Sequence, residues 1–403
     1  MDTEREERPL ARPVSGHRHA LTVVAVLAAC ALVAGGATGI RAILTRTARH
    51  AVASNPATAC VAPQTPPTVV APNHIGGWKF SEIEAGTFAS VIAAPPSTLY
   101  AIQACGAEET ALRIISINLK TKAVVVSGAF ARAALLTSSL TRVDGSLYFG
   151  AARLDLSGGA TAPPYELTLY RLEPATLKVV GERPLGRGYG LTLAAAQNTI
   201  VASTGHELLT VDPSSLASRE VLSFGKSVAQ HMSLLANAGS DRYVAVNLFS
   251  PAAVPPAESA RIELVDLANG GVVSSIGLPS GSDPESLSLG PSGLWASVGD
   301  GLSTVVTHYE TPSLTQATAG DRSHIPASLQ TLSLDTGRGV IWVRGLTYLS
   351  CADPATGHVL ASTVPSGSPP PSVNQIVTEG STIYAVTQSA IGLLAVPGSC
   401  QPA

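Results

Sequence analysis

The amino-acid sequence predicts an all-β fold, a seven-bladed β-propeller preceded by a single N-terminal transmembrane helix. Three observations carry this expectation. An uncharged apolar stretch lies near the N-terminus, a strand word recurs seven times, and a turn word leads to the next strand word across a nearly fixed interval. Gly and Pro together supply 66 of the 403 residues, and charged residues only 13%. Short runs of Val, Thr, Ser and Leu between such breakers favour many short strands.

From Ala20 to Ile40 the chain carries no charge over twenty-one residues. As a helix this stretch rises ~31 Å, about the thickness of a bilayer's hydrocarbon core. Arg5, Arg8, Arg12 and Arg18 precede it, and Arg41, Arg46 and Arg49 follow it, so basic residues hardly decide orientation. Two other readings stay open. Leu27 to Cys30 resembles a lipobox, although apolar and small residues continue beyond Cys30, and Ala51 to Ala53 has the small residues of a cleavage site, although far from the apolar stretch. The expected organisation is a cytoplasmic segment over 1–19, a membrane helix over 20–40, a Pro-rich extracytoplasmic stalk over 41–73 and a propeller over 74–403. The protein is thus expected in the cell membrane as a single-pass protein, with its C-terminal domain extracytoplasmic.

Cysteine usage supports that address. Beyond the apolar stretch stand Cys60, Cys105, Cys351 and Cys400, an even number that fits two disulfides outside the cytoplasm, with four buried thiols as the alternative. Residues 50–403 hold 18 basic and 24 acidic side chains, a net charge of −6. Nucleic acid is therefore not an expected partner, since phosphate neutralisation needs clustered Lys and Arg.

The strand word appears as STLYA, GSLYF, NTIVA, DRYVA, SGLWA, GVIWV and STIYA, with reference residues Tyr100, Tyr148, Val201, Val244, Trp295, Trp342 and Tyr384. The turn word has reference residues Asn118, Glu173, Asp212, Asp266, Glu310 and Asp353, and Pro397 in a degenerate copy. From each turn to the next strand word the intervals are 30, 28, 32, 29, 32 and 31 residues, whereas from strand word to turn they range from 11 to 25. A four-stranded antiparallel blade explains the asymmetry. The turn closes strands C and D, D leads into the innermost strand A of the next blade, and A returns to B across a fixed geometry. The B to C connection lies at the rim, where insertions have small entropic consequence. Seven such repeats read as a seven-bladed propeller, against the alternative of a β-sandwich.

Counting back one interval from Tyr100 makes the stretch near Ile75 to Ile83 a strand D without its own C, while the last blade ends on a strand C near Leu393 to Val396. The two chain ends are expected to complete one blade, removing the sheet edges of a broken ring. Cys351 and Cys400 then share the C to D face and Cys105 lies on the other. This favours pairing Cys351 with Cys400 and Cys60 with Cys105, with a Cys60 to Cys400 staple as the alternative.

The stretch Asp353 to Val359, DPATGHV, keeps a whole D-P-x-T-G-x-V turn, and Tyr384 to Thr387 echoes a known strand B word. On these residues the chain, over about 75–400, resembles the YVTN-type and quinoprotein-like β-propeller repeat proteins, as a membrane-anchored bacterial member. The resemblance implies fold more than activity, because that superfamily holds quinone-dependent dehydrogenases and a lyase beside binding and scaffolding modules. Tryptophan-rich docking repeats like those of quinone-binding relatives are missing, with Trp78, Trp295 and Trp342 alone present, so no cofactor is expected.

His74, His206, His231, His308, His324 and His358 are scattered without HExxH or CxxC spacing, so no metal site is expected. His206 with Glu207, or His308 with Glu310, would be acid/base pairs, but strand alternation is expected to keep the first pair apart. The glycines of GRGYG at 186–190 lack the setting of a dinucleotide fold. Their expected place is the D to A connection from blade 2 to blade 3, on the face of the two longest B to C loops, 151–165 and 249–261. Arg153, Asp155, Tyr165, Arg187, Tyr189, Phe249 and Arg261 are the candidate ligand-binding residues on that face. The favoured function is a membrane-anchored binding or scaffolding module for an extracytoplasmic protein, peptide or envelope glycan. The alternative is a lyase or hydrolase with a His and a carboxylate in the central channel; with no convergent catalytic set in the sequence, the balance leans away from an enzyme.

Overall fold

The computed structural model describes residues 74–400 apart from internal stretches, of which 106–110, 158–161, 235–241, 251–259, 279–282, 300–303, 317–322, 326–330, 345–348, 354–357 and 364–372 are the longest. The expected membrane helix (20–40), stalk (41–73) and Cys60 lie outside the described residues. Among the described residues no helix is long and apolar enough to cross a membrane.

The described strands form seven antiparallel sheets, which we call blades 1 to 7 in chain order, each with strands A to D from the centre outwards. Blade 1 contains Phe88–Ala94, Thr98–Cys105, Ala111–Asn118 and a divided strand D, Val124–Val126 and Phe130–Ala131. Blade 2 is built from Ser139–Val143, Ser146–Leu154, Tyr165–Leu172 and Val179–Gly188. Blades 3 to 6 span 192–223, 228–277, 283–325 and 331–362. Blade 7 joins Val373–Glu379, Thr382–Thr387 and Ala390–Leu394 to Trp78–Ala85 from the other end of the described chain. Phe80 pairs with Leu394 and Glu82 with Gly392, so the seam is closed as the interval predicts. One detail differs: His74–Ile75 does not continue strand D but doubles back through Gly77 (φ +93°) as a fifth, outer strand.

Every strand-word reference residue lies in a strand B, and the reason is double-sided packing. Leu147 and Phe149 face blade 1, while Tyr148 between them faces blade 3; all three are buried. A sheet covered on both faces needs apolar residues at consecutive positions rather than alternate ones. Seven apolar clusters fill the seven interfaces between successive blades, including the one between blades 7 and 1, where Tyr384 and Val386 meet Leu99 and Ile117.

The C to D turns share one conformation. The N–H of the fifth residue donates to the carbonyl of the first in Asn118–Lys122, Glu173–Leu177, Asp212–Leu216, Asp266–Gly270 and Glu310–Leu314, and that fifth residue is left-handed each time, with φ of 60°, 55°, 57°, 66° and 52°. In the opening residue's side chain, Asn118 and Asp212 each accept two backbone N–H bonds. Glycine meets the left-handed requirement at Gly270. Blades 2, 3 and 5 place leucine there, each buried in the cluster facing the preceding blade. In the sixth blade Asp353 N–H donates to the His358 carbonyl at 2.9 Å, while Pro354 and Gly357 lie outside the described residues. The degenerate seventh copy is a 3-10 turn, Gly398–Cys400.

Cys351 and Cys400 are joined by a disulfide, as the shared face suggested. It ties strand C of blade 6 to the turn after strand C of blade 7, inside a buried cluster with Trp78 and Trp342. Cys105 is also a half-cystine.

Candidate functional site

Blade 2 carries the longest B to C hairpin among the described blades, and its sequence shows why. Of the residues expected to form a loop over 151–165, Ala151–Leu154 and Tyr165 belong to the flanking strands. Arg153 pairs with Glu166 and Leu154 with Tyr165, leaving 155–164 as the connection. Cross-strand neighbours share a face, and Arg153, Glu166 and Arg187 lie abreast on strands B, C and D. Arg153 ion-pairs with Glu166, whose hydrogen bond raises the Arg153 pKa above arginine's ordinary value.

Arg187 turns to the connection instead. Its Nη2 ion-pairs with Asp155 and donates to Ser157 Oγ at 3.0 Å, while Nη1 approaches the carbonyls of Asp155 at 3.3 Å and Pro163 at 3.4 Å. One guanidinium thus fastens both ends of the hairpin connection. Asp155 accepts the Ser157 N–H at 2.9 Å and the Ser157 hydroxyl at 3.0 Å. These bonds, ahead of the Arg187 charge, hold its carboxyl below the usual aspartate range.

Beside this hairpin is a cleft of about 400 Å³ between blades 1 and 2. One wall is the segment leaving blade 1, with Phe130 and Ala133; the other is the blade 2 face, with Arg153, Thr168, Tyr170, Glu182 and Pro184. The opening originates in blade 1's divided strand D. Ser127 interrupts it, bonding Ile114 N–H through its own Oγ at 2.8 Å and donating to the Gly128 carbonyl at 2.7 Å. The chain then crosses along the end of blade 2's strand B, where Ala134 N–H donates to the Ala152 carbonyl at 2.8 Å. Phe130 packs against Phe149 at 4.7 Å and Tyr170 at 5.1 Å between ring centres. Burial, and then the Glu182 charge across the strand pair, push the Tyr170 phenol above its ordinary pKa.

The candidate residues do not form one ring. Arg153, Asp155 and Arg187 lie together at one end of blade 2, Tyr165 packs on that blade's other face against the cluster shared with blade 3, and Tyr189 follows at the junction of the two blades. Phe249 and Arg261 belong to blade 4, with blade 3 between, and Arg261 is held by Glu263 at 2.7 Å on its own strand. Most of the connection between them, 251–259, lies outside the described residues.

The GRGYG glycines are explained by packing. Gly188 passes so near blade 3 that a Cβ there would sit 2.2 Å from the Thr204 carbonyl oxygen, and Gly186 (φ +87°) serves a register shift in strand D. His206 and Glu207 correct an expectation: His206 Nε2 lies 3.7 Å from Glu207 Oε1. His206 stands in the turn before its strand, after Gly205 (φ +90°), so strand alternation does not separate the pair. His206 also approaches Thr204 Oγ1 at 3.5 Å and meets the Tyr189 ring edge-on. His308 stacks on Trp295, 4.6 Å between centres. Among the described residues no group of three or more His, Cys, Asp or Glu is placed to hold a metal ion.

Phe130, Glu166, Thr168, Tyr170 and Glu182 were not singled out from sequence. The Ser-Gly interruption at 127–128 after three valines was the available sign of a broken outer strand.

No family model and no curated protein matches the chain. Among solved structures, hydrazine synthase of Kuenenia stuttgartiensis superposes with a TM-score of 0.55 at 12% identity, over 79% of this chain and 98% of that one. The computationally designed Ika8 protein aligns at a TM-score of 0.48 and 13% identity, over 78% and 98% respectively. At such identity the first likeness speaks for the propeller fold alone.

Proposed function

We propose that this chain is a membrane-anchored, extracytoplasmic propeller that binds an envelope protein, peptide or glycan through the B to C end of blade 2. The observation that carries the reading is the Arg187 clamp. Its contacts with Asp155, Ser157 and Pro163 hold the two ends of the hairpin connection beside the blade 1–blade 2 cleft, and ends fixed in advance lose less entropy when a partner docks. The uncharged stretch 20–40 and the disulfide support the extracytoplasmic address. The turn at Asp353 supports the kinship with YVTN-type repeats.

The test is capture of envelope components by the full-length chain in membrane vesicles, using photo-crosslinkers placed at Leu154 and Tyr165, on either side of the 156–163 connection, and at sites elsewhere on the ring. Shortening 156–163 to a Gly-Ser link, and separately Arg187→Ala, should abolish the crosslinked species while leaving the melting transition in place. Undiminished crosslinking from sites elsewhere on the ring would move the binding surface away from blade 2.

A further inference from the structure

We propose that the cleft between blades 1 and 2 takes a neutral sugar residue of an envelope glycan. The proposal rests on the reading of this chain as a binding module and names the ligand class for its blade 2 end. At about 400 Å³ the cleft lies within the ~300–1,000 Å³ range of small-molecule sites, too roomy for a lone ion.

Its chemistry is mixed in a particular way. Phe130, braced against Phe149 and Tyr170, supplies an aromatic wall. Such a wall suits the C–H face of a pyranose ring, which is apolar on its faces and polar around its edge. Around that wall stand a cation (Arg153), an anion (Glu182) and the Thr168 and Tyr170 hydroxyls. Arg153 gives its Nη2 to Glu166 and retains other N–H donors, whereas Glu182 makes no ion pair among the described residues and presents two acceptor oxygens. Vicinal sugar hydroxyls both donate and accept, so they can satisfy a carboxylate and a guanidinium together through charge-assisted bonds.

Charge selects against the alternatives. Arg153 is opposed by Glu166 on its own sheet face and Glu182 stands near, so an anionic uronate or phosphate meets no net positive field. A cationic ligand would have to displace or accommodate Arg153. An uncharged polyhydroxylated ring avoids both.

The experiment uses the full-length chain in detergent and saturation-transfer NMR with neutral manno-, galacto-, arabino- and chito-oligosaccharides, with oligogalacturonate and a random-sequence peptide pool as comparators. At least one neutral series should bind. Glu182→Gln and Arg153→Lys, both at solvent-accessible positions, should each weaken that binding about tenfold, while Val272→Thr on blade 4 should leave it unchanged. Binding of uronate or peptides alone, or neutral-sugar binding indifferent to Glu182→Gln, overturns the assignment. If no glycan binds yet crosslinking still depends on 156–163, the sugar assignment falls and the binding-module reading stands; if crosslinking fails as well, both fall.

Discussion

The phenolic hydroxyl of Tyr148, in strand B of blade 2, donates a 2.9 Å hydrogen bond to the carbonyl oxygen of Pro213, in the C to D turn of blade 3. Tyr100 of blade 1 makes the corresponding but longer bond, 3.4 Å, to Pro174 of blade 2. A large strand B residue thus reaches across the interface to brace the next blade's turn. Removing the Tyr148 hydroxyl leaves the Pro213 carbonyl with Arg171 Nη1 at 3.4 Å. Tyr148→Phe should therefore destabilise by about 1 kcal/mol, the net worth of one hydrogen bond, and Tyr100→Phe by less. Urea unfolding of the two variants checks the order; equal losses would deny the bond its role.

That bond also explains why the fold was legible. At Tyr100 and Tyr148 the strand word is large because its side chain spans to the next blade's turn, and the interval from turn to next strand word stayed near 30 residues because the D to A to B path crosses rigid packing. The seam followed from the same count. The cleft was not legible, because it depends on where a broken strand D leaves Phe130, and on register that brings Glu182 opposite Tyr170. Arg187 was visible as a candidate, but its part in holding Asp155 and Pro163 required the fold. Phe249 and Arg261 were grouped with them because their loops share a face, and a shared face does not bring together loops two blades apart.

The left-handed leucines set backbone strain against burial. Leu216 has φ 57° and is 6% exposed, packed between blades 2 and 3. The left-handed region costs a residue with a Cβ roughly 1–2 kcal/mol, whereas truncating a buried leucine to alanine costs about 2–5 kcal/mol. Burial wins. Leu216→Ala should lose about 3 kcal/mol, since alanine keeps the strain and forfeits the packing. Leu216→Gly should be less damaging than Leu216→Ala by about 1 kcal/mol, the reverse of their usual order. Denaturant titration of both variants decides it.

Asp212 makes one turn sensitive to acid. Hydrogen bonds from the Ser214 hydroxyl and then from Ser215 hold its pKa at about 2. A carboxyl depressed in the folded state contributes in full above its unfolded pKa of about 4 and loses that contribution as pH falls towards about 2. The melting temperature should accordingly fall less steeply between pH 4 and 2 in Asp212→Asn than in the unaltered protein, the two curves converging at the acid end. Parallel curves would remove Asp212 from the acid response.

Gly392 permits the seam. A Cβ there would lie 2.4 Å from the Phe80 ring and 2.6 Å from the Ser81 carbonyl oxygen, and the backbone oxygen cannot rotate away. Gly392→Ala should cost about 1–3 kcal/mol of overpacking, concentrated where Trp78–Ala85 joins blade 7. Hydrogen exchange should quicken at Phe80–Ala85 and remain unchanged at Thr199–Ser203 in blade 3. Uniform acceleration around the ring would mean that the seam is no weaker than any other pairing.

The Cys351–Cys400 disulfide closes a loop of 49 residues, and in the chain-entropy description such a link is worth about 4 kcal/mol. Both half-cystines are 0% exposed, so a reductant reaches them only when the surrounding cluster opens. That cluster includes Trp78 and Phe80 from the seam strand as well as Leu394 from its partner. Seam opening and disulfide access should therefore be one event. Thiol trapping in dithiothreitol should show slow reduction of the unaltered protein and severalfold faster reduction in Gly392→Ala, while Leu216→Ala, at the third interface along the ring from blade 7, should change the rate much less despite a comparable loss of global stability. Equal acceleration by both variants would show that reduction follows global unfolding, and that the disulfide guards the whole ring rather than its closure.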